Sequence, residues 1–343
     1  MVIGIIGAGI SGLTAGKFLA KAGHEVTVFE KSSGFGGRMA TRYAGTGSES
    51  KMDHGIPMFS AKSLEFNKFV SELREKGLIQ RWGDSISMYD GDILIKQDPN
   101  PSSTSTYTAV KGMNSVGKYL SRYMDVKLNT KVGGLTYFGK NRSQKKPWVI
   151  NITSSSTFLA DAVIIALPAP QAYGILNSTI DEINALKLVR VIDEIHYRPS
   201  YSLMVGYGDK PAPAWQGVKC KNSNLDFISN EKTKRKNEQE TSFVLHASES
   251  FTLRHQKGDE EVIVREMLSD FAEIAGGWVS VPDWHQLHFW RYSSPRTYLK
   301  RPFFEMEDKD GPLALIGDYF NGDSVEDAYL SGYELAKKWI EEY

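Results

Sequence analysis

The chain has 343 residues, of which 41% are hydrophobic and 24% charged, proportions typical of a soluble globular protein with a sizeable core. Lysine plus arginine equals aspartate plus glutamate at 41 each, so the net charge indicates neither nucleic acid nor an anionic membrane as a partner. Cys220 is the single cysteine, which excludes an intramolecular disulfide and a cysteine-rich metal site. We therefore expect a cytoplasmic protein without a metal centre, and no apolar run reaches the roughly 18 residues of a membrane span.

The first thirty residues have the pattern strand, glycine turn, helix, strand. Val2 to Ile6 is a short apolar run suited to a buried strand, and Val26 to Phe29 predicts a second one. Between them, apolar residues recur at helical spacing, namely Ile10, Leu13, Phe18, Leu19 and Ala22. Gly23 is well placed to end that helix.

The glycine turn has the spacing of a dinucleotide-binding motif, with glycines at Gly7, Gly9 and Gly12. The first permits a tight turn, the second lets the backbone approach a pyrophosphate, and the third lets helix and strand pack closely. Unpaired N–H groups at the helix start, around Ile10 and Ser11, favour the phosphates.

Glu30 ends the second strand, where its carboxylate can accept hydrogen bonds from the adenosine ribose and would repel the 2′-phosphate of an NADP-type ligand. This pattern alone predicts an adenosine diphosphate site and leaves NAD and FAD open.

Further along the chain, loops are predicted at Ala44 to Lys51, Lys96 to Tyr107 and Gly139 to Pro147. A helix is predicted over Val110 to Met124. Apolar or β-rich segments predict strands, namely Asp161 to Leu167, Ser200 to Tyr207, Thr241 to His246 and Leu313 to Ile316. A last helix has apolar positions at Val325, Ala328, Tyr329, Gly332, Leu335, Ala336 and Trp339. We interpret the basic run Lys232 to Lys236 as a solvated loop, with a cationic rim for an anionic substrate as the alternative.

The stretch from Glu30 to Arg42, with Gly36-Gly37-Arg38 at its centre, resembles the extended fingerprint of the amine oxidase-like flavoproteins. The resemblance implies FAD. It also implies that Gly37 and Arg38 approach the pyrophosphate, that Asp318 of Gly317-Asp318 holds the ribityl chain, and that the helix capped by Ser324 points at the flavin. Further cofactor contacts are expected at Lys31, Met39, Gly55, Ile56, Val132, Ala166, Val325 and Glu326.

Several segments resemble the renalase-like branch of these flavoproteins over nearly the whole chain. They are Gly36 to Arg42, Val163 to Gln171, Leu245 to Ser248, Phe289 to Tyr292 and Gly317 to Gly332. The resemblance implies oxidation of dihydronicotinamide isomers of NAD(P)H to NAD(P)+, with O2 as acceptor and H2O2 as product. Hydride transfer to flavin N5 needs stacking and water exclusion but no general base, so we assign no catalytic side chain.

Candidates for an apolar, aromatic substrate pocket are Phe59, His246, Trp290 and Tyr292. Trp290 and Tyr292 alternate along a predicted strand and so share one face, which is equally a candidate for the core. His246 follows an apolar run and is also interpretable as a core histidine. Arg291 faces the other way and is expected at the surface or at an interdomain contact.

The chain departs from the related patterns in two places. Ile56-Pro57 follows Asp53-His54-Gly55 where the renalase-like pattern has polar residues, and Pro57 removes a side-chain amide and a backbone donor. The segment Ile195 to Met204 contains no lysine where amine oxidases usually carry one, which argues against ordinary amine oxidation. Covalent relatives attach the flavin to a cysteine in the C-terminal region, and Cys220 lies outside that region. By this resemblance we expect the FAD to be bound non-covalently.

These observations predict an α/β protein whose Rossmann-like FAD-binding domain, at 1–60, 110–170 and 290–343, is interleaved with a substrate domain. The substrate domain, at 61–109 and 171–289, is expected to hold a mixed antiparallel sheet and helices. The alternatives are an FAD-dependent amine oxidase or isoprenoid desaturase, a non-catalytic FAD-binding module, and an NAD-dependent dehydrogenase.

Overall fold

The structure is a computed structural model that describes residues 1–45, 50–95, 104–139, 145–179, 186–236, 238–306 and 311–343. The three predicted loops therefore lie partly outside the described residues.

Within those ranges the strands, β1 to β21 in chain order, are Val2–Ile6, Glu25–Phe29, Arg42–Ala44, Ser50–Met52, Phe59–Ser60, Ile79–Arg81, Ile86–Tyr89, Leu94–Ile95, Thr106–Ala109, Asp125–Lys127, Val132–Tyr137, Trp148–Ile152, Ser156–Ala160, Ala162–Ile165, Tyr197–Gly206, Gly217–Cys220, Leu225–Asn230, Ser242–Ala247, Trp284–Pro295, Phe304–Glu305 and Leu313–Leu315. The α-helices, α1 to α8, are Ile10–Lys21, Leu64–Glu75, Asn114–Leu120, Ala169–Asn177, Leu186–Ile192, Glu249–Arg254, Glu260–Ala275 and Val325–Glu342. Short 3-10 helices are Ser121–Tyr123, Glu231–Lys234, Gly277–Ser280 and Asp318–Phe320.

The chain divides into two compact units that alternate along the sequence. The first unit comprises Met1–Arg38, Asn114–Tyr197 and Pro295–Tyr343, and the second comprises Met39–Met113 and Arg198–Ser294. Residues 39–60 thus pack with the second unit and 171–197 with the first, unlike the expected boundaries. The physical reasons are that Met52 packs on Met204 and Val244, and that α4 and α5 bury Leu176 and Leu188 in the first unit's core. The assignment of cofactor and substrate roles to the units stays a prediction.

The first unit is built on a six-stranded sheet in the order β10-β2-β1-β14-β21-β20. Its first five strands run parallel, and β20 closes the sheet antiparallel to β21. The central strands β1 and β14 are almost entirely buried, as expected for apolar runs covered on both faces. This parallel sheet with crossover helices confirms the α/β class.

Helices α1 and α8 pack closely against each other at Gly332 of α8. A Cβ built on Gly332 of α8 would lie 2.2 Å from the carbonyl oxygen of Ser11 in α1. The predicted apolar positions of the last helix are all buried, which confirms that prediction. The Ser324 hydroxyl accepts from the Asp327 N–H at 3.0 Å while the Asp327 carboxylate accepts from the Ser324 N–H at 3.1 Å, a capping box that fixes where α8 begins.

The second unit contains a seven-stranded mixed sheet in the order β19-β15-β18-β17-β16-β7-β8. One face of this sheet packs on α7, which contributes Met267 and Phe271 to a buried core with Leu203 and Leu245. A two-stranded sheet, β3-β4, and a three-stranded sheet, β5-β9-β6, complete the unit with α2 and α6. In the part of the chain described, no helix is both long and apolar enough to cross a membrane.

Candidate functional site

The glycine turn of the first unit has the geometry that its sequence predicts. Gly7 has φ +108°, a conformation that L side chains rarely adopt, and a Cβ on Gly12 would lie 2.3 Å from the Gly7 carbonyl oxygen. A Cβ on Gly9, by contrast, would meet no atom within 4 Å. The turn therefore leaves open space at Gly9, beside the start of α1, where a pyrophosphate would fit.

Glu30 follows β2 and is held by the turn it faces. Its carboxylate accepts from the Ala8 N–H at 2.9 Å, and from the N–H and hydroxyl of Ser32 at 2.8 Å each. A carboxylate offers about four acceptor sites, so these three bonds leave capacity for one ribose hydroxyl. The free acceptor capacity of the Glu30 carboxylate fits the predicted contact with a ribose hydroxyl.

Arg38 and Asp318 form a bidentate ion pair across 280 residues of sequence. The two N···O distances are 2.7 and 2.8 Å, and the Asp318 side chain is almost fully buried. The resemblance implied separate contacts for these residues, and the structure instead brings the two ends of the fingerprint into one charge-assisted fork.

Tyr319 lies beside this pair, and its buried hydroxyl has no hydrogen-bond partner within the described ranges. Burial, Tyr197 and Asp318 raise the pKa of this hydroxyl. An unsatisfied buried donor costs roughly 1–3 kcal/mol, which a polar ligand group would recover.

The remaining predicted cofactor residues are spread over both units. Ala166 lies against the turn, since its carbonyl oxygen would be 2.6 Å from a Cβ on Gly7. Val132 belongs to the apolar core of the first unit, Lys31 is exposed, and Gly317 donates its N–H to the Ser331 hydroxyl at 3.0 Å. Val325 and Glu326 are buried in the first turn of α8, and Ile10 and Ser11 are buried in the first turn of α1. Met39, Gly55 and Ile56 belong to the second unit.

Trp290 of β19 is fixed against the Asp53-His54-Gly55 turn within the second unit. Its indole N–H donates to the His54 carbonyl at 2.9 Å, and its ring stacks on the His54 imidazole at 5.2 Å. His288 packs edge-on against both rings, at 4.5 Å from Trp290 and 5.0 Å from His54. His288 was not among the predicted pocket residues, although its position two residues before Trp290 on a strand could have indicated it.

His246 lies on the same sheet face as Trp290. Ser202 of β15 contacts the His246 ring at 3.2 Å, whereas the neighbouring Tyr201 packs on Phe289 at 5.0 Å. Because side chains alternate across a strand, Ser202, His246 and Trp290 share the face opposite to α7. We call this the histidine face, formed by Ser202, His246, His288, Trp290 and Tyr292.

The four predicted pocket residues therefore lie at two different places in the second unit. His246, Trp290 and Tyr292 lie on the histidine face, which is partly exposed and lies opposite to the core packed on α7. Phe59 is buried in β5, with ring contacts to Phe66 and Tyr107. Arg291 is exposed, as expected.

Burial keeps the imidazoles of this region uncharged. Burial, His288 and Arg42 lower the pKa of His54 to about 3, and burial with Lys234 lowers that of His246 to about 3. Nδ1 of His54 and Nε2 of His246 are buried and lack hydrogen-bond partners within the described part of the chain.

The basic run at 232–236 was interpreted wrongly, because Lys234 and Arg235 are buried. Lys234 lies 2.8 Å from the Glu231 carboxylate and 3.5 Å from that of Asp53, and Arg235 lies 2.5 Å from Asp53. The cationic-rim alternative fails for these two residues as well, since their charges are compensated inside the second unit. Only Lys236 is exposed within the described residues of the run.

These four residues, Asp53, Glu231, Lys234 and Arg235, form a buried charge cluster. Asp53 also accepts from the Met113 N–H at 2.9 Å and the Thr41 hydroxyl at 2.7 Å. Although burial opposes it, Lys234 and Arg235 hold the pKa of Asp53 below its usual value. The cluster therefore anchors the turn that carries His54.

Acid should destabilise the protein through its buried histidines. A histidine whose folded pKa is about 3 takes up a proton only on unfolding, so stability is full above pH 6.5 and falls as pH drops towards 3. For His54 and His246 together we expect a loss of about 3 kcal/mol between pH 6.5 and 5. Urea unfolding at several pH values measures it. His246→Asn should remove about half of this loss and the exposed His285→Asn none, and an unchanged loss in His246→Asn would contradict the assignment.

Comparison with known proteins identifies the family. The family described as "Flavin containing amine oxidoreductase" matches residues 87–338, and "NAD(P)-binding Rossmann-like domain" matches residues 5–73. The chain belongs to the flavin-containing amine oxidoreductase family and is an FAD-dependent oxidoreductase of the amine oxidase superfamily.

Its similarity to curated relatives is confined to short segments. The chain is 41% identical over 78 residues to an L-amino-acid oxidase of Siganus canaliculatus, a segment that covers 20% of this chain and 15% of that protein. It is 56% identical over 39 residues to 4,4'-diapophytoene desaturase of Staphylococcus aureus strain Newman, or 11% of this chain and 8% of that protein.

The fold is shared over the full length with putrescine oxidase in its putrescine-bound structure. The TM-score is 0.75 at 14% identity, and the match covers 99% of each chain. At that identity the likeness establishes the fold alone.

Proposed function

We propose that the protein is a renalase-like oxidase that binds FAD non-covalently and oxidises dihydronicotinamide isomers of NAD(P)H to NAD(P)+. The observation that carries this proposal is the packing of Trp290 between two imidazoles, His54 and His288, whose pKa values are lowered by burial. An uncharged aromatic surface suits a flat, neutral dihydropyridine ring, whose oxidation requires no side chain to remove a proton from carbon.

In this proposal the first unit holds the cofactor. Gly9 gives the pyrophosphate room, Glu30 accepts a ribose hydroxyl, and Arg38 with Asp318 presents a fixed pair of opposite charges to the polar chain of FAD. When bound, the flavin supplies a hydride acceptor at N5 and transfers electrons to O2, giving H2O2.

The second unit contributes the surface for the substrate ring. Trp290 is held by its hydrogen bond to the His54 carbonyl, so its indole plane is fixed before substrate arrives. The lowered pKa values of His54 and His246 make both imidazoles poor proton donors at neutral pH. These residues therefore orient the ring and exclude water.

Amine oxidation is the second candidate function, favoured by the match of residues 87–338 to the flavin-containing amine oxidoreductase family. It is disfavoured by the cationic Arg42, which acts on the His54 imidazole and would repel a protonated amine placed beside it.

Anaerobic mixing with borohydride-derived NADH isomers tests the proposal. We expect the flavin absorbance to bleach within seconds with these isomers and to stay unchanged with putrescine. Bleaching by putrescine alone would establish the amine oxidase alternative. Bleaching by neither compound would show that both proposed substrate classes are wrong.

Loss of the Arg38–Asp318 pair should weaken FAD binding. Arg38→Met leaves a buried, unpaired carboxylate, and we expect the dissociation constant for FAD to rise roughly 10- to 100-fold, or about 1.5–3 kcal/mol. Fluorescence titration of apoprotein with FAD measures it. Asp125→Asn, which breaks an exposed ion pair with Lys127 in the same unit, is the matched control and should change nothing. Wild-type affinity in Arg38→Met would exclude this pair from the cofactor site.

A further inference from the structure

The histidine face and the adjacent turn contain two buried hydrogen-bonding atoms without partners in the described ranges, Nδ1 of His54 and Nε2 of His246. His54 is about 5% exposed and is stacked beneath Trp290. Buried polar atoms are nearly always satisfied, so an unsatisfied pair in one region of a fold indicates a polar ligand or ordered water.

The two atoms lie in one neighbourhood of the second unit. His54 stacks on Trp290. Trp290 and His246 lie on the same face of the sheet, because Ser202 contacts His246 on that face while its neighbour Tyr201 packs on Phe289 on the other. His54 and His246 are also close enough to interact electrostatically. His54, Trp290 and His246 therefore belong to the same region of the second unit.

The chemistry of the two nitrogens restricts what a polar ligand here can be. A neutral imidazole nitrogen is either a donor or an acceptor, depending on the tautomer. For His246 the choice is open, because the Ser202 hydroxyl can donate to Nδ1 or accept from it. A ligand that both donates and accepts would satisfy one nitrogen in each role.

The charges around the histidines restrict it further. The charge of Lys234, near His246, is compensated by Glu231 and Asp53, but Arg42 acts on His54 as a cation. An ammonium group placed there would be repelled, and a carboxylate could only accept. A neutral amide has one acceptor oxygen and an NH2 donor, and carries no charge.

We propose that His54 and His246 recognise a neutral carboxamide on the substrate and thereby select against amines. This inference rests on the proposed function, because a dihydronicotinamide carries such a carboxamide on its ring. It adds the residues that determine specificity and the chemical group that they read.

Binding of four pyridines to the FAD-loaded protein tests the inference without turnover. Nicotinamide carries the amide, 3-acetylpyridine only an acceptor, nicotinate a carboxylate and 3-picolylamine an ammonium. We expect nicotinamide to bind about tenfold or more tightly than each of the others and to shift the ring-nitrogen resonances of His54 and His246 in protein labelled with 15N-histidine. Equal affinity for nicotinamide and 3-acetylpyridine, tightest binding of 3-picolylamine, or unshifted histidine resonances would overturn it.

Variants assign the effect to the two side chains. In His246→Phe and in His54→Phe the preference for nicotinamide over 3-acetylpyridine should fall below about threefold, because one partner is lost. His246→Gln should retain part of the preference, since its amide also donates and accepts, and the exposed His285→Asn should retain all of it. A full preference in both phenylalanine variants would overturn the assignment, and the wild-type comparison decides the question if a variant does not fold.

Two outcomes distinguish a wrong amide site from a wrong oxidase activity. Preference for nicotinamide without flavin bleaching by dihydronicotinamides would end the oxidase proposal and leave the amide site standing. Flavin bleaching by dihydronicotinamides without any preference for nicotinamide would support the oxidase proposal and overturn the amide site.

Discussion

Replacing Lys234 by methionine is expected to destabilise the protein by about 3–5 kcal/mol. The lysine is fully buried between Asp53 and Glu231 and lies 5.0 Å from the Trp82 ring. Its removal leaves two buried carboxylates to share Arg235, and an uncompensated buried charge is among the costliest single changes in a folded protein. Chemical unfolding monitored by circular dichroism measures the loss.

Two further variants separate charge from packing. Lys236→Met removes an exposed lysine two residues away and should change stability by less than about 0.5 kcal/mol. Lys234→Met combined with Glu231→Gln restores the charge balance and should recover part of the loss. A Lys234→Met variant as stable as the Lys236→Met control would show that the cluster does not depend on its charge.

The cluster also links stability to the candidate substrate site. Asp53 immediately precedes His54, and its backbone N–H donates to Glu231 at 3.1 Å. Four segments meet there, at Thr41, Asp53, Met113 and 231–235. A fixed turn at His54 is what fixes Trp290, so weakening the cluster should also blunt the amide preference.

The sequence was sufficient for the parts of the fold that depend on local pattern. The strand, glycine turn and helix at Val2 to Lys21 follow from burial and glycine conformation, which are short-range properties. The capped last helix follows from Ser324 and its apolar periodicity. Likewise, the alternation of Trp290 and Tyr292 was enough to place both on one face.

Ion pairs between residues far apart in the chain could not be predicted from the sequence. A run of lysine and arginine favours a solvated loop by composition, and only the fold shows that Asp53, about 180 residues earlier, compensates Lys234 and Arg235. The same limit applies to Arg38 and Asp318, whose individual importance was predicted but not their pairing. The boundaries of the two compact units differ from the expected ones for a related reason, because residues 39–60 pack on strands more than 140 residues away.

Replacing Gly332 by alanine is expected to destabilise the first unit by about 3 kcal/mol or more and to reduce its FAD content. The new Cβ would lie 2.2 Å from the Ser11 carbonyl oxygen, and a backbone atom inside α1 cannot move aside as a side chain can. Helices α1 and α8 must separate, and Ser11 belongs to the first turn of the helix whose N-terminus faces the open space at Gly9. The phosphate-binding backbone N–H groups would therefore shift with α1.

Gly174 offers a matched control for this prediction. It is an exposed helical glycine in α4 of the same unit, and a Cβ there would meet no atom within 4 Å. Gly174→Ala should be neutral or stabilising by up to about 1 kcal/mol, because alanine has the higher helix propensity. The thermal unfolding midpoint and the ratio of flavin to protein absorbance report both effects. If Gly332→Ala matched Gly174→Ala in both measurements, close contact of α1 with α8 would not be what positions the glycine turn.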